Sequence, residues 1–118
     1  MVGALALPSD DPPEPARDAG YGDQFRYWRG ASGQRYLFSL VPNDALADFR
    51  FVVVMLAERL ADGRLIGRSL IEVDAAGWSE QNQPAAGEVA FVHFLAATWE
   101  ARQKAIEDLA AVAVRLAA

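Results

Sequence analysis

Arg26, Arg29 and Arg35 stand among Phe25, Tyr27, Trp28, Tyr36 and Phe38 in FRYWRGASGQRYLFSLVP, residues 25–42, a run without a single acid. Guanidinium groups clamp carboxylates and phosphates through paired N–H donors, and aromatic faces stack on bases or on the guanidinium plane itself. Arg26, Trp28, Arg29, Arg35 and Tyr36 are therefore the candidate binding residues, for a small anionic ligand or a protein partner. A plainer alternative stands beside this one. In it Tyr27, Tyr36, Phe38 and Leu40 are core, and the arginines form a solvated outer row stacked on Trp28. Strand alternation puts Arg26 and Trp28 on one face and Phe25 and Tyr27 on the other, which narrows the outward groups to those around Arg26, Trp28, Arg29 and Arg35.

Other reactive side chains are few. The chain has no cysteine, which excludes disulfides, thiolate metal sites and cysteine nucleophiles. Its one histidine, His93 in FVHFL, shares a face with Phe91 and Leu95. A histidine on a mostly apolar strand reads as a packed side chain with one hydrogen bond, because a general base needs an orienting carboxylate. Glu100, Glu107 and Asp108 lie on the last helical stretch as a solvated face. Glu100 and Glu107 are two turns apart, too far to ligate one ion together. No catalytic set, metal ligand set or cofactor motif emerges, and none is expected. Trp78, alone in a polar loop, is either a contact point or an anchor for that loop.

Charge is distributed unevenly. Residues 1–25 hold Asp10, Asp11, Glu14, Asp18 and Asp23 against Arg17, while the remaining residues nearly balance within a total of −5. A near-neutral body makes nucleic acid an unlikely partner, since such binding needs a basic surface to displace counterions. No apolar run approaches the roughly 20 residues of a membrane span. The opening MVGALALP lacks the features of a signal peptide. The expectation is a cytoplasmic protein off the membrane, and the arginine- and alanine-rich composition suggests a GC-rich bacterial genome.

Residues 1–22, with Pro8, Pro12, Pro13 and Pro15 among the acids, read as a disordered acidic tail. Residues 23–118 read as one domain. A first hairpin spans about 24–29 and 34–41. FRFVVVMLAERL, 49–60, is β-branched and apolar on both faces in its middle, as in a strand covered on both sides. Ala61-Asp62-Gly63 turns it into a return strand over 64–73. After a polar loop, 74–87, come a strand at 89–95 and a helix at about 99–116 with Thr98 as N-cap. Trp99, Ile106 and Leu109 mark the helix's buried stripe. The fold class is α+β: an antiparallel sheet of about five strands, two hairpins plus one strand, with a C-terminal helix packed on one face. One helix covers one face, so the apolar content of 49–60 points to a homodimer over the other.

Two resemblances attach to these residues. The segment FVVVMLAERLADGRLIGRS and the later FVHFLAATWEARQKAIEDL resemble the GIY-YIG nuclease layout. Leu65-Ile66-Gly67-Arg68-Ser69 matches the second motif, and Glu107 matches the metal-binding glutamate. Val53-Val54 and Leu65 stand where the motif tyrosines belong, and loop 74–87 replaces the helix carrying the catalytic arginine. The resemblance therefore implies an inactive relative of the nucleases. RYWRGASG, 26–33, with a β-rich body, resembles short alphaproteobacterial proteins to which no activity is attached, and it implies a bacterial source. The function expected is a small non-enzymatic interaction or binding module. The alternative is a nucleic-acid-binding protein or inactive GIY-YIG-like relative.

Overall fold

Two glycines set the frame of the sheet. Gly33 and Gly63 adopt φ of 89° and 88°, in the left-handed region that a side chain disfavours. Each ends a tight turn: Gly33 N donates to Gly30 O, and Gly63 N donates to Leu60 O. These turns join β2 (Phe25–Arg29) to β3 (Arg35–Val41), and β4 (Val52–Arg59) to β5 (Leu65–Val73). The computed structural model describes residues 6–10, 18–20 and 24–117, and the side chains of those up to 112. The remaining elements are β1 (Leu7–Pro8), β6 (Glu88–His93), α1 (Trp99–Ala117) and two 3-10 helices, Asn43–Asp48 and Glu80–Asn82.

All strand pairs are antiparallel, in the order β1-β5-β4-β6-β3-β2. The α+β class holds, with six strands rather than five. The extra strand is β1, which lies inside the expected tail. Leu7 is buried, and its carbonyl accepts from the Trp28 indole at 2.9 Å. Ser9 N then donates to Leu65 O, and Asp10 N donates to Tyr27 O. This short segment thus bridges β5 to the far edge strand β2 and nearly closes the sheet into a barrel. Composition concealed it, because the prolines and acids dominate the segment while one leucine makes the contact. Residues 1–5, 11–17 and 21–22 of the expected tail lie outside the described residues.

Two apolar layers result. The first joins Trp28, Phe38, Met55, Leu70 and Phe91 to Ile106 and Leu109 of α1. Trp28 meets Phe38 and Phe91 edge-on, each at 5.3 Å between centroids. That geometry suits the ring quadrupoles and is worth about 1 kcal/mol per pair beyond area burial. The second layer holds Val52, Val54, Leu56, Ile71, Ala90 and Val92. It is covered by Leu46 and Phe49, from the 3-10 helix at Asn43–Asp48 and the residue after it, and by Trp78 from the polar loop. Val52, Val54 and Leu56 of the apolar run 49–60 are therefore covered within the chain, while Phe51 stays exposed. Trp78 acts as a loop anchor, with its indole nitrogen buried and unbonded among the described residues.

A bulge shifts the phase of β5. Leu56 pairs with Ser69 and Ala57 with Gly67, leaving Arg68 as the extra residue. Alternation consequently inverts: Leu65 and Leu70 both enter the first layer, and Glu72 turns towards α1. Unbroken alternation would put Leu65 and Leu70 on opposite faces. No helix among the described residues is long and apolar enough to cross a membrane.

Candidate functional site

The β3–β6 ladder pairs Val41 with Ala90, Leu40 with Phe91 and Ser39 with Val92, and there it ends. Beyond it the strands part, and His93 takes over a backbone partner. Its Nδ1 lies 2.7 Å from the Leu37 carbonyl. A carbonyl only accepts, so Nδ1 carries the proton and Nε2 presents a lone pair. Burial favours the uncharged ring and outweighs the help that the Leu37 carbonyl gives the cation, so the His93 pKa lies below the ordinary value.

Into this parting of strands opens a cleft of about 380 Å³, within the range of small-molecule sites. Gln34, Arg35 and Tyr36 come from the start of β3, His93 from the end of β6, and Lys104 from α1. Ala101, Lys104, Ala105 and Asp108 share one helix face by their spacing. The two alanines leave the space that larger side chains would fill. Arg35 is aimed by Tyr27, with its guanidinium carbon 4.1 Å from the ring centroid. Among the described residues neither Arg35 nor Lys104 has a carboxylate within 4.0 Å, although the Lys104 charge acts on Asp108 one turn further along α1.

Asp108 fixes one wall. It accepts from Ser32 N at 2.8 Å, from Ser32 Oγ at 2.6 Å and from Tyr36 OH at 2.8 Å. Burial works against its charge, but the Ser32 hydroxyl and amide, the Tyr36 hydroxyl and nearby Lys104 together hold its pKa below the ordinary value. Burial, followed by the bond to Asp108, pushes the Tyr36 phenol well above its usual range. Gly30 permits this approach, since a Cβ there would overlap the Asp108 carboxylate. The expectation of a solvated face fails for Asp108, because the hairpin turn supplies donors from a distant part of the chain. Glu100 and Glu107 are exposed.

Of the five candidate residues, the cleft unites Arg35 and Tyr36. Trp28 points inward and is fully buried, so it offers no stacking face. Alternation placed it beside Arg26, but the near-closed sheet makes that face the interior at Trp28. Arg29 is exposed and bonds Asp10 at 3.1 Å and the Gly33 carbonyl. Arg26 lines a separate depression with Pro8, Asp10 and Asp62. Sequence reasoning missed Lys104 and the open nitrogen of His93. The available signal was Ala101 and Ala105 flanking Lys104 on one helix face.

The cleft can hold an anion against Arg35 and Lys104 and accept a proton donor at His93. Among its described residues His93 bonds a backbone carbonyl, and the Tyr36 hydroxyl donates to Asp108. Among the described residues no three His, Asp or Glu side chains converge as metal ligands. No protein-family model matches the sequence, no curated protein matches it, and no solved structure matches the fold.

Proposed function

We propose that this protein is a small non-enzymatic binding module that takes a small anionic ligand in the cleft between β3 and α1. The observation that supports it is the pair of cations, Arg35 and Lys104, lining one concave site with no carboxylate within 4.0 Å of either among the described residues. The surrounding groups suit binding rather than turnover. Tyr27 orients one cation, Tyr36 is clasped by Asp108, and His93 stays neutral by burial. A single-stranded nucleic acid has less to hold here, because Trp28 lies inside the core.

An NMR titration with sodium acetate and with inorganic phosphate tests the function. The amide signals of Arg35, Lys104 and His93 shift together and saturate. The Arg35→Gln/Lys104→Gln double variant loses this response at an unchanged melting temperature. Shifts absent from these positions, or retained in the double variant, overturn it.

A further inference from the structure

The cleft continues past its cations onto apolar surface. Leu95 lines it and is 75% exposed, and Phe51, which shares Arg102 with the neighbouring Ala96, is 51% exposed. A cluster of large apolar side chains left open to water at one end of a small domain marks a contact surface. Val53 and His93 are the last pair of the β4–β6 ladder, and Phe51 and Leu95 each stand two residues beyond that end. Arg102 closes the group from α1, one turn beyond Trp99. Its guanidinium carbon is 5.7 Å from the Phe51 ring centroid, and its Nη1 donates to the Ala96 carbonyl at 3.2 Å. Phe51 is held there at φ 60°, the one non-glycine positive φ among the described residues. Backbone strain of this kind persists only where the surrounding structure enforces it, and it collects at ligand sites.

The charge beside the cleft limits the head group. Arg35 and Lys104 supply two positive charges, His93 is neutral, and Asp108 supplies a negative charge behind Tyr36. That balance suits one negative charge better than two. The inner wall of Leu37, Ala96, Ala101 and Ala105 leads from this point out to Leu95. We propose that the ligand is an amphipathic carboxylate. Its head lies between Arg35 and Lys104, and its apolar chain lies over Leu95 towards Phe51. This rests on the anion-binding function proposed above.

The experiment titrates the full chain with acetate, butyrate, octanoate, octanol and inorganic phosphate by calorimetry. Octanoate binds at least about tenfold tighter than acetate or octanol, with up to about fourfold gained per methylene covered. Leu95→Ser weakens octanoate about tenfold more than it weakens acetate, and preserves the melting temperature because the side chain is exposed. A flat chain-length series, or phosphate as tight as octanoate, overturns the amphipathic ligand while leaving the anion site standing. Octanol as tight as octanoate overturns the head-group assignment. If acetate, phosphate and octanoate all fail to bind, the anion site and this inference fall together.

Discussion

Tyr36 on β3 donates its hydroxyl hydrogen to Asp108 on α1 at 2.8 Å, a bond that joins the first hairpin to the last element of the chain. The same carboxylate holds the amide and hydroxyl of Ser32 in the hairpin turn, and the Asp108 carbonyl accepts from Ala31 N. One acid therefore sets the distance between the two walls of the cleft. A ligand site between a hairpin and a helix needs such a tie, because neither wall is covalently close to the other.

Asp108→Ala should cost about 2–3 kcal/mol in urea unfolding, since three donors lose a charged acceptor and one of them is partly buried. Tyr36→Phe removes one of those bonds and should cost about 1 kcal/mol. Gly30→Ala should also destabilise, through overlap of its Cβ with the carboxylate. Its cost should fall in the Asp108→Ala background, where the overlapping group is gone. Additive effects of the two changes would show that Gly30 and Asp108 do not meet.

The depressed Asp108 pKa carries a pH dependence of defined sign. The folded carboxyl titrates below its unfolded value, so between the two values the unfolded chain binds more protons. The stabilisation is complete above the unfolded value of about 3.9 and is lost as pH falls through the folded one. The stability gap between the parent and Asp108→Asn should be largest near neutrality and should narrow in acid. A gap that stays constant from neutral pH to about pH 2 would remove Asp108 from the acid response.

Arg102 and Glu72 form the buried ion pair of the fold, 3.0 Å apart, with side chains 4% and 15% exposed. At that burial the surviving charge dominates the effect of a single change. Arg102→Ala should cost about 3–5 kcal/mol, as Glu72 is left unpaired and the Ala96 carbonyl loses a donor. The double variant Glu72→Leu/Arg102→Met should recover much of that loss, since an apolar pair of similar volume avoids the desolvation cost. Thermal melts of the three proteins decide this. A double variant as unstable as Arg102→Ala would mean that the Ala96 and Phe51 contacts carry the stability instead.

Five of the six strands, both turns and the helix were legible because each follows a local rule, whereas β1 was hidden in the proline- and acid-rich segment. Gly33 and Gly63 signal their turns, Val52-Val53-Val54 signals its strand, and Thr98 caps α1, with its Oγ1 accepting from Ala101 N at 3.1 Å. What escaped depends on long-range partners. Trp28 reads as outward by alternation until the near-closed sheet turns that face into the interior. Trp99 fits the helix's apolar stripe yet is 58% exposed. Gly67 inside a strand was the one local hint of the bulge that sends Glu72 to Arg102. The cleft was half legible: the hairpin supplied Arg35 and Tyr36, but only the packed helix could bring Lys104 opposite them.

His93 joins the fold and the ligand in one titration. Burial favours its neutral form, so its contribution to stability is complete above the ordinary histidine value of about 6.5. That contribution is lost as pH falls through the lower folded value. An anion between Arg35 and Lys104 opposes this, because its charge favours the imidazolium that burial disfavours. The His93 pKa, followed by the ring Hε1 signal, should therefore rise when acetate or octanoate saturates the cleft. By linkage, carboxylate affinity should increase as pH is lowered through the free protein's value. His93→Gln should remove this pH dependence while leaving binding at neutral pH largely intact, since the neutral ring contributes no charge to hold the anion. A His93 resonance that titrates identically with and without saturating carboxylate would show that the anion does not sit beside it.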